Sequence, residues 1–193
     1  MLAGFRTPSW SEPLDVEERI LRTPEHATIR GLFLQMIVDS AKAARIELPG
    51  PNRYSTFVQY PMRDYMRLAV AAAKCRFAAE HVREGLRRVG LTVYPEFKQT
   101  VAGSAIFAFA SDDFRKVASL AQKAYAVSLN PGAVSIRELA ERHIVVELRD
   151  VHNFPECLQV GVWEGALSAC RVRGEVYVRA LTQSDADLEI EWR

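Results

Sequence analysis

The stretch Pro155–Cys170, PECLQVGVWEGALSAC, decides how this chain is read. Proline at its head suits a first helical turn. Cys157, Gly161, Gly165 and Ala169 then recur every fourth residue, so one face of the resulting helix is a stripe of small side chains. Glycine inside a helix costs about 1 kcal/mol relative to alanine, so two of them need a compensating gain. Close approach of another backbone, from a sheet or a second helix, is the usual gain; contact with a ligand is the alternative. Phe154, Leu158 and Val162 extend the buried side, while Trp163 and Glu164 fall elsewhere on the helix.

Short strands surround this helix. Val134–Leu139 and Ile144–Leu148 precede it. Gly174–Leu181 follows, with Val176, Val178 and Ala180 on one face, and Asp187–Trp192 returns after a turn at Ser184-Asp185. Asn130-Pro131-Gly132 is a turn signal, and Tyr125–Leu129 before it reads as a short strand. Upstream the period changes to three and four. One helix starts at Thr23-Pro24 or Thr28 and ends before Leu48-Pro49-Gly50. A second runs about Thr56–Lys74, broken at Pro61. A third, Ala78–Val89, ends at Gly90 as a left-handed cap. A fourth runs from Pro95 to Phe109. Ser111-Asp112-Asp113 caps a fifth, ending near Ala124. Helices followed by an antiparallel sheet with one inserted helix define an α+β fold. The expected division is an irregular arm over 1–22, holding a short helix near Leu14–Leu21, and one domain over 23–193, helical to 124 and sheet-forming from 125.

The chain has 193 residues, 49% of them hydrophobic, with 25 Lys+Arg against 24 Asp+Glu. That balance excludes a strongly cationic nucleic-acid binder. Length and composition exclude a disordered or disulfide-stapled protein. Cys75, Cys157 and Cys170 are an odd number at irregular spacing, which suits reduced thiols in a cytoplasm. The longest apolar runs, Leu68–Ala73 and Ala105–Ala110, fall far short of the ~20 residues of a membrane span. The start of the chain has no apolar run behind Arg6 and does not read as a secretory signal.

Chemistry is sparse. His26, His81, His143 and His152 lack any metal-ligand spacing, and no serine sits in a nucleophile elbow. No glycine-rich phosphate loop occurs. The expectation is therefore no enzyme, no metal and no cofactor. Arg83, Arg87 and Arg88 could meet an anion, but Glu80 and Glu84 lie one turn away, and a solvated mixed-charge face is the plainer reading. Phe33, Met36, Phe57, Tyr65, Phe107 and Phe109 make ordinary core material or the lining of a lipophilic cavity.

Several segments together carry a resemblance: Ile29–Leu34, Tyr60–Leu68, Glu84–Gly90, Tyr94–Phe97, Leu158–Gly165 and Asp187–Trp192. In that order they resemble a family of proteins of about this length, expanded in myxobacteria and without a described function. The architecture is also similar, more distantly, to the ligand-binding superfamily of nitric-oxide signalling and Golgi transport, which includes TRAPP subunits, vinyl-reductase-like domains and haem–nitric oxide domains. That resemblance implies a small molecule or acyl chain between helices and a Gly-containing helix on a sheet, matched here by Gly161 and Gly165. The haem branch carries Tyr-x-Ser-x-Arg, and Tyr54-Ser55-Thr56-Phe57 does not satisfy it. A TRAPP-like acyl-cysteine would need a thiol at the cavity mouth, for which Cys75 is the candidate.

The resulting expectation is a soluble cytoplasmic domain that binds or senses a small apolar, acyl-like ligand in bacterial signalling. Phe33, Met36, Tyr65, Cys75, Phe107 and Trp163 are its candidate ligand-binding residues, with Gly161 and Gly165 structural. The alternative is a homodimeric or partner-binding interaction module with no ligand. Neither reading implies nucleic acid or a membrane span.

Overall fold

The computed structural model describes residues 1–110 and 113–193. Asp15 opens α1 (Val16–Arg22), its carboxylate accepting from the Glu18 amide at 2.9 Å. This satisfies a donor that a helix start otherwise leaves unpaired. Thr28–Arg30 (β1) then lies between Gln59–Pro61 (β2) and Leu129–Asn130 (β3) in a small antiparallel sheet. The sequence reading has helix over both leading segments. They are extended instead because the chain must pass through this sheet before helices α2 (Gly31–Ala43) and α3 (Met62–Arg76) begin. Gly31 marks the crossing. Its amide donates to the Val58 carbonyl at 2.8 Å, and a Cβ there would fall 2.2 Å from the Ser55 carbonyl oxygen.

The expected third helix does not stop at Gly90. α4 runs Val82–Gln99, through both Gly90 and Pro95. α5 (Val101–Ala110) follows a break at Thr100, whose hydroxyl accepts from the Gly103 amide at 3.0 Å. The break resets the helical phase: Phe107 is buried and Phe109 is 79% exposed, so the expected single face from Phe97 to Phe109 is divided. Phe57, in the turn before β2, is also exposed rather than core. Asp113 caps α6 (Phe114–Ser128) by accepting from the Arg115 amide at 2.9 Å; Ser111 and Asp112 of the expected cap lie outside the described residues. α6 continues through Tyr125–Ser128, where a strand was expected. The three-four row Val117, Ala121, Ala124, Tyr125, Ser128 keeps facing the interior, and packing overrides β propensity there.

The second sheet is antiparallel, in the order β4 (Ala133–Ala140), β5 (His143–Arg149), β7 (Ala186–Trp192), β6 (Gly174–Ala180), with α7 (Leu158–Ala169) inserted between β5 and β6. The fold is α+β, as expected. Val176, Val178, Leu188 and Ile190 are buried on one face. The other face is not simply polar and wet, because the first residues of the chain cover it. Arg6 bridges Val178 of edge strand β6 with bonds of 3.0 and 2.9 Å, Phe5 is buried under the Arg179 guanidinium, and Leu2 donates to Glu189. Pairing on a free strand edge removes a site for aberrant association.

The glycine stripe of α7 meets another helix, α4. A Cβ on Gly161 would lie 1.9 Å from the Arg87 carbonyl oxygen, one on Gly165 2.6 Å from that of Leu91, and one on Gly90 2.1 Å from that of Leu158. These are backbone atoms, which have no rotamer with which to yield. Pro95 fits the same contact: lacking an N–H, it leaves the Leu91 carbonyl without its helical donor, and Gly165 packs on that carbonyl. Gly161→Ala is therefore expected to lose about 2–3 kcal/mol in a urea titration, and Gly165→Leu at least as much. Losses under about 0.5 kcal/mol, the scale of ordinary surface changes, would mean that the two helices stand apart.

Candidate functional site

Helices α2 to α7 do not close fully on one another. Between them is an apolar recess of about 70 Å³. Val93, Tyr94 and Phe97 of α4 and the inward row of α6 supply most of its wall, with Phe33 of α2, Tyr65 of α3, Phe107 of α5 and Val162 of α7 completing it. The space arises where α6 places Ala121 and Ala124 between Val117 and Tyr125, alanines at positions that a larger side chain would fill. A water needs roughly 10–15 Å³ and a cavity of about 150 Å³ accepts benzene, so this recess suits a molecule of a few heavy atoms.

Its polar groups are few and uncharged. The Tyr125 hydroxyl donates to Gln159 Oε1, and Gln159 Nε2 donates to Asn153 Oδ1 at 2.8 Å. Asn153 and Gln159 are buried, so this chain satisfies amides that would otherwise be costly. Tyr65 and Tyr94 also line the recess, and their hydroxyls have no hydrogen-bond partner among the described residues. Burial pushes all three phenols above their usual range, and at Tyr125 the neighbouring Tyr94 and Tyr65 add to the effect. All three phenols therefore stay protonated at physiological pH.

Of the residues singled out from sequence, Phe33, Tyr65 and Phe107 line the recess. Met36 is buried on α2 outside its lining. Trp163 is fully buried, its ring centroid 6.3 Å from Tyr94 and 6.4 Å from Phe114, behind the wall and not in it. Cys75 is exposed on α3, away from the recess. Gly161 and Gly165 stand in the helix contact. Sequence reasoning missed Tyr94, Tyr125, Asn153 and Gln159. A signal existed for Gln159: it is a lone amide among Leu158, Val160, Val162 and Trp163, and such a group needs a partner when buried.

The arginines do not form a solvated face. Arg83, with a side chain 13% exposed, donates to the Glu12 carbonyl at 3.0 Å and faces Glu156 at 3.7 Å. Arg87 reaches Glu164 at 2.7 Å and Glu84 at 3.0 Å, over the Trp10 ring. Arg88 pairs with Glu84 and Glu80 over Phe77. The group ties the arm, α4 and α7 together. Far from the recess, the register of β5 on β7 also brings His143 within 2.9 Å of Glu189 and 3.6 Å of Glu191, a metal-capable trio that sequence separation hides. The Leu2 amide already donates to both Glu189 oxygens, at 2.8 and 2.7 Å, so the trio serves here to hold the arm.

Comparison with known proteins adds the family. A model described as "Protein of unknown function (DUF2378)" matches residues 22–193. The chain belongs to the DUF2378 family. No match was found among curated proteins. Among solved structures, an H-NOX protein from Shewanella oneidensis in its Fe(II)NO state superimposes with a TM-score of 0.65 at 11% identity, over 86% of this chain and 99% of that one. The Fe(II) unliganded H-NOX protein from K. algicida gives 0.62 at 10%, over 86% and 97%. An oxygen-binding H-NOX domain related to soluble guanylate cyclases gives 0.59 at 12%, over 84% and 91%. At these identities the likeness is one of fold, and this DUF2378 chain shares the H-NOX fold along most of its length.

Within that fold the amide chain should be measurable. Tyr125→Phe strips Gln159 Oε1 of its donor and is expected to cost about 1–2 kcal/mol of stability. Tyr65→Phe removes a hydroxyl without a protein partner and is expected to leave stability unchanged or slightly raised. Equal losses in paired denaturation curves would contradict the assignment.

Proposed function

We propose that this DUF2378 protein is a non-enzymatic sensor domain of bacterial signalling, cytoplasmic, that holds a small apolar ligand in the recess. The observation that carries this reading is the recess itself: an uncharged, apolar space walled by six helices in an otherwise close-packed interior. The H-NOX fold supports it, since two of the similar structures are described with nitric oxide or oxygen bound. The titratable groups facing the space are phenols that burial keeps protonated, which gives acid–base chemistry no foothold. No described helix is long and apolar enough to cross a membrane.

The residues present do not fit haem. Sites for ligands of drug size run to about 300–1,000 Å³, against 70 Å³ here. None of the four histidines or three cysteines lies in the described lining, and no arginine or lysine does. A short acyl group fits the space; a longer chain requires α5 and α6 to part from α4.

The alternative, a homodimeric or partner-binding module without a ligand, is favoured by Phe57 and Val58, 81% and 48% exposed beside edge strand β2. The two readings separate cleanly. Solvent extraction of freshly purified protein, read by mass spectrometry, is expected to release a small apolar species that Val117→Phe, which fills the recess, retains poorly. No extractable species, together with no uptake of a probe of matching size such as xenon, would overturn the sensor reading. A concentration-dependent dimer in sedimentation that Phe57→Ser abolishes would then favour the alternative.

A further inference from the structure

The recess has spent some of its hydrogen-bonding capacity and kept the rest. Tyr125 has committed its proton to Gln159 Oε1, and Gln159 has committed its amide to Asn153. Tyr65 and Tyr94 have committed nothing to any described residue. Tyr65 is only 2% exposed and lines the recess, and its hydroxyl is reached by a water-sized molecule, so what occupies the recess decides whether that hydroxyl is paired. Buried tyrosine hydroxyls usually find a partner, and one left unpaired carries a desolvation penalty of about 1–3 kcal/mol. A phenol is a donor first, so what the recess lacks is an acceptor.

Charge narrows the class. No Lys, Arg or His lines the described recess, and apart from Ser128 its remaining wall is apolar. An anion placed there loses hydration and gains no counter-charge. Size narrows it again, to a few heavy atoms.

Building on the sensor reading above, we infer that the ligand is a small uncharged molecule with a carbonyl-type acceptor, its oxygen taking the Tyr65 hydroxyl proton, with Tyr94 as second donor, and its alkyl part lying against Phe107, Val117 and Val162. A free carboxylate is excluded from the site. A short ketone, aldehyde or ester has the required chemistry.

Three isosteric probes test this: 2-butanone, 2-methyl-1-butene and propanoate, titrated into the full chain by ligand-observed NMR. The comparison is made for wild type and for the Tyr65→Phe/Tyr94→Phe double variant, with circular dichroism confirming that the variant is folded. The expected result is that ketone and alkene both bind wild type and propanoate does not. The ratio of ketone to alkene affinity should then fall by about tenfold in the double variant, the equivalent of one lost hydrogen bond. If both probes bind and the ratio is unchanged, the recess is a ligand site but the acceptor assignment is overturned. Propanoate binding as tightly as butanone overturns the neutral class. If none of the probes binds wild type, the underlying sensor reading falls and this inference with it.

Discussion

Two helices in this fold touch through their backbones. Gly161 and Gly165 of α7 rest on the Arg87 and Leu91 carbonyls of α4, and Gly90 of α4 receives the Leu158 carbonyl in return. Any side chain at these points would force the axes apart, since the opposing atoms belong to rigid main chain. The contact fixes where α7 stands, and therefore where Gln159 and Val162 enter the recess and where Trp163 packs behind it. Arg87 serves twice: its carbonyl lies under Gly161, while its guanidinium grips Glu164 of α7 at 2.7 Å. Burial raises the Glu164 carboxyl above its ordinary range, and Arg87 opposes that shift. The recess is thus bounded on one side by elements with little freedom to move. On the other side stand α5 and α6, joined to that frame by side-chain packing.

The sheet solves a different problem. Its outer face carries two buried carboxylates, Asp187 and Glu189, which water does not reach. Asp187 lies between Arg149 at 2.8 Å and Arg179 at 2.5 Å, and Glu189 accepts from the Leu2 amide and His143. A buried charge is tolerable when it is paired and hydrogen-bonded, and both of these are. The consequence is that the first six residues belong to the sheet's outer layer, and α1 with Arg83 and Glu156 extends that layer toward α7.

The sequence revealed the parts governed by local period. Alternation in Val176–Val178 and Leu188–Ile190 placed two strands, and the four-residue glycine spacing announced a close contact. It did not say with what: the partner glycine, Gly90, sits about seventy residues away and reads in isolation as a helix end. Tyr125 was misjudged for a related reason, since an aromatic and a β-branched residue close together, Tyr125 and Val127, outweigh a helical row whose meaning appears only once the α6 wall is assembled. Half of the anticipated ligand residues line the recess because large apolar side chains on helices tend to face inward. Cys75 had no such physical argument, and it lies on the surface. The Tyr125–Gln159–Asn153 chain joins residues up to 34 positions apart, so only the tertiary structure reveals it.

Diffraction from a crystal of the full chain under xenon pressure tests the central claim most directly, because one map reports both the helix contact and the space beside it. The account predicts a xenon peak among Phe107, Val117 and Val162, with the Arg87 carbonyl in van der Waals contact with Gly161. A map in which α4 and α7 are separated by intervening side chains, or in which the recess is filled by the protein's own atoms and takes up no xenon, would contradict it.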